Sequence, residues 1–285
     1  MSSPVFDEAE FDAYCDEVEV YEQTWHTEPE EPQRSYLSTR PKLKAELFQR
    51  VLAGKRTFTN HVYAERGIWS PERKSFQAGL LPIADTSVTG SGTESIYFLI
   101  GLPGSGKSSA LRPLVATHSG LPLEAITVSD ADELRVKFPE YSDGKGSGVV
   151  QDECAELMYN RQVTKPELGV QGAILNAGGV TIVDVIGSPD HLPPLVRRLR
   201  RLGRKVYVLQ AKCDTATCVS RAKYRALASG RLVPPSLILA KVGVPEKTLD
   251  AVRSEANPSG WAVVDTSALE PVILESSGFD FATAA

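Results

Sequence analysis

Phe98-Leu-Ile-Gly-Leu-Pro-Gly-Ser-Gly-Lys-Ser-Ser109, FLIGLPGSGKSS, runs from an apolar stretch into glycines and then into lysine and serine. Its core from Gly101 to Ser108 satisfies G-x-x-x-x-G-K-[ST] in full, behind the apolar run SIYFLI and ahead of the helix-forming SALRPLVAT. Glycines let successive backbone N–H groups curl around phosphates, and a helix N-terminus adds a favourable dipole. In that arrangement Lys107 reaches the β- and γ-phosphates while the Ser108 hydroxyl ligates magnesium. A turn that only packed tightly would leave the lysine and serine unexplained. Gly101, Leu102, Pro103, Gly104, Ser105, Gly106, Lys107, Ser108 and Ser109 are therefore expected to hold ATP or GTP with Mg²⁺.

Downstream, short apolar runs alternate with amphipathic helical patterns: after SIYFLI come AITVSD, GVTIVDVI, KVYVLQA and WAVVDTS. Runs of this length between helices read as buried parallel strands joined by right-handed crossovers. The expected fold is α/β, a P-loop NTPase/kinase fold with a central, mainly parallel five-stranded sheet flanked by helices. Upstream, Pro41 to Gly54 carries a helical stripe of Leu43, Leu47, Phe48, Val51 and Leu52. Ser70-Pro71 suits the cap and first position of another helix. The polar connector Asp85 to Thr93 marks the main boundary, giving an acidic arm over 1–34, a helical N-terminal extension over 35–92 and a kinase domain over 93–285.

Charge is unevenly placed. The net charge of −5 over 285 residues argues against a nucleic-acid protein driven by bulk electrostatics. Most of the imbalance sits in the first 34 residues, where Phe11, Tyr14, Cys15, Val18 and Trp25 recur at helical spacing among carboxylates. That segment is either an acidic amphipathic helix or a solvated arm. The basic run Arg197-Arg198-Leu-Arg200-Arg201-Leu-Gly-Arg204-Lys205 reads as the solvated face and C-terminus of a helix. Cys15, Cys154, Cys213 and Cys218 lack zinc-ligand spacing and read as inert thiols. With no bilayer-length apolar run and an acidic N-terminus, a cytoplasmic location is expected.

The acceptor side begins after the second strand, at Ser129-Asp130-Ala-Asp132-Glu133-Leu-Arg135. Strand ends in open α/β sheets face the ligand crevice. A carboxylate there can accept the proton of an attacking hydroxyl, or it can cap the helix DELRVKF. Asp184, at the end of GVTIVDVI, reads either as a magnesium-directed carboxylate or as structural. Glu153 is a candidate for binding the acceptor, set against a solvated helix face. Arg221 and Arg225 share a helix face and Arg231 follows a glycine at its end; such arginines either clamp a transferring phosphoryl group or form surface salt bridges.

Around these residues the chain resembles the zeta-toxin family of P-loop kinases. Asp132-Glu-Leu134-Arg135-Val-Lys-Phe138-Pro139 follows the family's strand-two motif, with Phe138 in place of its usual histidine. Gly67-Ile-Trp-Ser-Pro-Glu-Arg73 is similar to a segment upstream of the P-loop in zeta-like chains. Thr181-Ile-Val-Asp184-Val-Ile-Gly187 stands where the family carries Glu-Gly-Thr or Asp-Gly-Thr, with Val185 and Ile186 departing from that pattern. The resemblance spans about residues 60–250 and extends to the lid segment, where Gly230-Arg231-Leu-Val-Pro234 matches a Gly-Arg-x-Val-Pro pattern.

The resemblance implies Mg·ATP-dependent phosphorylation of a hydroxyl on a nucleotide-linked metabolite, UDP-N-acetylglucosamine first and an NAD-type dinucleotide second. It makes Asp132 the general base, Lys107, Arg231 and one of Arg221 or Arg225 the γ-phosphoryl contacts, and Ser108 with Asp184 the magnesium side. Asp130, Arg135 and Glu153 are the acceptor-side candidates. An antitoxin is the implied partner, and the acidic arm is a candidate self-inhibitor. Two rivals are a polynucleotide 5′-hydroxyl kinase and an ATP-binding switch module without a small-molecule acceptor.

Overall fold

The structure, a computed structural model, describes residues 64–65, 68–80, 95–141, 150–159, 169–229, 233 and 235–279. The acidic arm, the Pro41 to Gly54 helix, the connector Asp85 to Thr93, Cys15 and Arg231 lie outside the described residues. In chain order the strands are β1 (Ala64–Glu65), β2 (Ile68–Trp69), β3 (Ser95–Ile100), β4 (Thr127–Ser129), β5 (Thr181–Val185), β6 (Lys205–Lys212), β7 (Gly260–Asp265) and β8 (Val272–Ser277). The helices are α1 (Pro71–Leu80), α2 (Arg112–Ser119), α3 (Ala131–Arg135), α4 (Gln151–Tyr159), α5 (Val170–Ala177), α6 (Leu192–Arg201), α7 (Thr215–Ser229), α8 (Pro235–Leu239) and α9 (Val244–Glu255).

Two compact units divide these elements. The sheet unit takes the described residues of Ile83–Asp130, Gln171–Arg221 and Ile238–Ala285; the helical unit takes those of Met1–Pro82, Ala131–Val170 and Ala222–Leu237.

In the sheet unit the strand order is β4-β5-β3-β6-β7-β8, with the first five parallel and β8 antiparallel to β7. The chain leaves β3, passes to the far edge at β4, returns through β5 and crosses to β6 on the other side. That reversal puts a crevice at the carboxyl end of β3, where open α/β sheets bind ligands. All of SIYFLI is buried, because each face of β3 meets its own core. Ile96, Phe98 and Ile100 pack with Val196, Leu199, Leu249 and Val252, while Tyr97 and Leu99 pack with Leu111, Val115, Tyr207 and Val264. All five strands expected from the sequence are present, joined by a sixth, β8, whose Val272 and Leu274 are exposed. No helix among the described residues is long and apolar enough to cross a membrane.

The helical unit holds the antiparallel pair β1–β2, with Ala64 opposite Trp69, and helices α1, α3 and α4. Ser70 caps α1 as its sequence predicts: its Oγ accepts the Arg73 N–H at 3.2 Å.

Candidate active site

The loop after β3 turns sharply enough to need glycine at two positions. Gly104 has φ +80°, and a Cβ there would lie 2.2 Å from the carbonyl oxygen of Cys218. Gly106, at φ +85°, precedes a single π-helical turn over Lys107–Leu111 that leads directly into α2. Backbone N–H groups at this helix start are the donors a phosphate requires.

Lys107 Nζ donates to the carbonyl oxygens of Gly101 at 2.8 Å and Leu102 at 3.2 Å, and lies 3.6 Å from Asp184 Oδ1. The β3–β5 register pairs Leu99 with Asp184, which brings this carboxylate to the mouth of the loop. Ser108 Oγ donates to Asp184 Oδ2 at 3.3 Å. Arg112 Nη2 donates to Asp130 Oδ2 at 2.8 Å and is 3.6 Å from Asp184 Oδ2. Burial pushes the Asp184 carboxyl above the usual carboxylate range; Lys107 and Arg112 pull it back, and Asp130 adds to the rise.

Ser108 and Asp184 present a hydroxyl and a carboxylate side by side, the hard oxygen donors that suit Mg²⁺. Among the described residues no group of three or more His, Cys, Asp or Glu side chains could cage a metal ion. A magnesium ion here would take its other ligands from phosphate oxygens and water, which is how this ion is usually held.

Behind the loop lies a brace that the sequence did not reveal. Thr266, buried just past β7, donates its hydroxyl to Ser105 O at 2.6 Å, with Lys212 O at 3.1 Å as a second acceptor. Arg221 Nη1 donates to Thr266 O at 2.8 Å, and Nη2 to Ser267 O at 3.0 Å. Nη1 is also 3.6 Å from where a Gly106 Cβ would stand. Arg221 thus belongs to the wall of the loop and is tied to backbone carbonyls. The WAVVDTS run contained Thr266, but nothing in its pattern linked it to a loop 161 residues earlier.

The acceptor-side candidates fall in the helical unit, apart from Asp130. Asp132, near the start of α3, accepts from Arg135 Nη1 in an i,i+3 pair. Burial raises the Tyr141 phenol, and the charges of Arg135 and Arg225 both pull it back down. Arg221 and Arg225 share the helix α7, yet the first belongs to the sheet unit and the second to the helical unit.

Glu153, read from the sequence either as an acceptor contact or as part of a solvated helix face, lies in the interior, which removes the solvated reading. The side chain is 0% exposed, because Arg73 Nε and Nη2 grip its two oxygens at 2.7 and 2.8 Å and Gln77 Nε2 adds a bond at 2.7 Å. An ion pair this closed keeps both charges out of water without leaving either unmatched. The basic run at the end of α6 also departs in one residue: Arg204 is buried and donates to Leu175 O, while Arg198 and Arg201 stay exposed. Cys154, Cys213 and Cys218 are free thiols, the first and third buried.

A model of a protein family described as Zeta toxin matches residues 83–268. No curated protein matches the chain. Among solved structures, a chain of the native AvrRxo1-ORF1:-ORF2 complex is 14% identical, with 81% of this chain and 80% of that one covered and a TM-score of 0.52. The complex with sulphate ions gives 16% identity, 81% and 80% coverage and a TM-score of 0.51. A chain from the PezAT chromosomal toxin-antitoxin system of Streptococcus pneumoniae is 12% identical, with 71% and 82% coverage and a TM-score of 0.49. At these identities the two AvrRxo1 structures speak for the fold alone.

Proposed function

The chain belongs to the zeta-toxin family of ATP-dependent P-loop kinases, and on that premise we propose that it phosphorylates a hydroxyl of a nucleotide-linked metabolite. UDP-N-acetylglucosamine is the first acceptor and an NAD-type dinucleotide the second. The observation that carries the reading is the grouping of Lys107, Ser108 and Asp184 at the end of β3, a donor site built for a magnesium-bound triphosphate.

In this mechanism the acceptor hydroxyl gives its proton to Asp132 as its oxygen bonds to the γ-phosphorus. The bond from that phosphorus to the β–γ bridging oxygen breaks, and ADP leaves. Lys107 shifts from the Gly101 and Leu102 carbonyls to the phosphates, and its charge offsets what develops on the transferring group. Arg225 and Arg231 are assigned to that group, and Arg221 to holding the loop from behind. Ser108 and Asp184 would hold Mg²⁺, which supplies charge neutralisation across the β- and γ-phosphates. Asp130 and Arg135 are assigned to orienting the acceptor and its base.

Family membership also supports an antitoxin-type protein partner, and the charge of the first 34 residues supports a self-inhibitory arm. Purified protein incubated with γ-labelled ATP and, separately, UDP-N-acetylglucosamine, NAD and a 5′-hydroxyl oligonucleotide tests the acceptor. Label on a nucleotide-linked metabolite is expected. Label on the oligonucleotide alone would reverse the assignment, and unchanged turnover after deletion of residues 1–34 would end the inhibitory role of the arm.

A further inference from the structure

Arg73, Gln77 and Glu153 form a buried polar cluster that the phosphotransfer scheme leaves without a task. It lies entirely within the helical unit and draws one partner from the GIWSPER segment and another from α4. Closing it immobilises three long side chains and removes two charges from water, a substantial cost for a cluster with no task.

What the cluster touches shows its use. Helix α3, which carries Asp132, has only five residues, far below the roughly 12–15 needed for marginal stability in isolation. Its geometry must come from its neighbours. At its first residue, Ala131 O accepts the thiol of Cys154 at 3.3 Å; Cys154 is fully buried and adjoins Glu153 on α4. Beyond its last residue, Phe138 is buried and meets Phe76 edge-on at 5.6 Å between centroids. The Arg73 guanidinium covers both rings, 4.7 Å from the centre of Phe76 and 5.5 Å from that of Phe138. One side chain therefore reaches both ends of the segment: through Glu153 and its neighbour Cys154 to Ala131, and through the aromatic pair to Phe138.

We propose that Arg73 is a positioning residue for Asp132, clamping α3 at both ends so that the carboxylate is held in one place. The proposal rests on the reading of Asp132 as general base. A guanidinium suits the task because its planar fork bonds a carboxylate through two N–H groups while its face lies on aromatic rings. Lysine retains charge but neither the fork nor the flat face. Phe138, where the family usually has histidine, gives Arg73 the ring on which to rest.

The test compares Arg73→Met, Arg73→Lys and Asp132→Asn in the full chain, well below their melting temperatures. ADP release is measured with UDP-N-acetylglucosamine present and expressed per nucleotide-binding site counted by ATP titration, so unfolded molecules do not enter. Arg73→Met is expected to lower kcat by roughly 10- to 100-fold, since small misplacements of a reacting group carry penalties of that order, with the KM for ATP unchanged. Arg73→Lys, which keeps the charge opposite Glu153, is expected to fold and to lose about threefold to tenfold. A merely structural arginine would leave kcat per site at the wild-type value in every variant that folds. If Asp132→Asn is inactive while both Arg73 variants stay within twofold of wild type, the positioning role is overturned and the base assignment stands. Should Arg73→Met fail to fold, Arg73→Lys alone decides. Full turnover by Asp132→Asn would overturn both.

Discussion

In the sheet unit, Asp184 lies 3.6 Å from each of two cations and accepts a hydrogen bond from the Ser108 hydroxyl at 3.3 Å; in the helical unit, Glu153 is gripped by three N–H groups at 2.7–2.8 Å. Both carboxylates are largely out of water, but only the second is fully matched. Burial raises the Asp184 carboxyl against the pull of Lys107 and Arg112. Lys107 likewise rests on backbone carbonyls that a phosphate can displace. Of these two carboxylates, the one beside the glycine loop is paired loosely and the one inside the helical unit is paired completely.

The largest expected effect separates the two carboxylates by stability. Glu153→Ala should cost about 3–5 kcal/mol in urea unfolding, because it strands the Arg73 charge in the interior. A loss below about 1 kcal/mol would remove the contrast. Next comes activity: Lys107→Ala should lower phosphotransfer by roughly 10²- to 10³-fold in initial-rate assays while unfolding as wild type does.

Thr266→Val tests whether the loop's support matters as much as its charges. Leaving Ser105 O without its buried donor should weaken ATP binding about tenfold by titration calorimetry, with Thr266→Ser restoring it. Unaltered affinity in the Val variant would make the brace ornamental.

Asp184→Asn sharpens the comparison from the other side. With its carboxyl raised in the folded state, the native protein holds this proton more tightly than the unfolded chain does, so stability falls as pH rises through the raised pKa. Without nucleotide or magnesium, the Asn variant should melt higher near neutral pH by something on the order of a few degrees. The gap should close as pH falls toward about 4, the ordinary carboxylate range. An equal gap at every pH would show that ionisation of Asp184 is not its cause.

The elements legible in the sequence were those whose signal is local. SIYFLI followed by GLPGSGKSS announces a strand, a glycine turn and a helix in one contiguous run, and Ser70-Pro71 announces a capped helix start. What escaped depends on partners far along the chain. Glu153 looks like one carboxylate among several in QDECAE, and only the arrival of Arg73, 80 residues earlier, shows that it is interior. Arg112, the first residue of α2, has no motif of its own, yet it ties Asp130 to the nucleotide site. VILESS escaped for the opposite reason: an edge strand lying mostly in solvent has no need of the apolar run by which its neighbours are recognised.

That edge also bears on handling. Beyond β8 the sheet has no further strand among the described residues, and Val272 and Leu274 stand 56% and 47% exposed along it. Natural sheets guard such margins with irregularities and charge; here the guards are the bulge at Val263/Val264 and Glu275, which faces Arg253 at 3.9 Å. Light scattering of concentrated stocks should show slow growth of assemblies templated along this margin, and Leu274→Lys should delay it without altering catalysis. The sixth strand, which no apolar run announced, is thus expected to limit how long the purified protein keeps in solution.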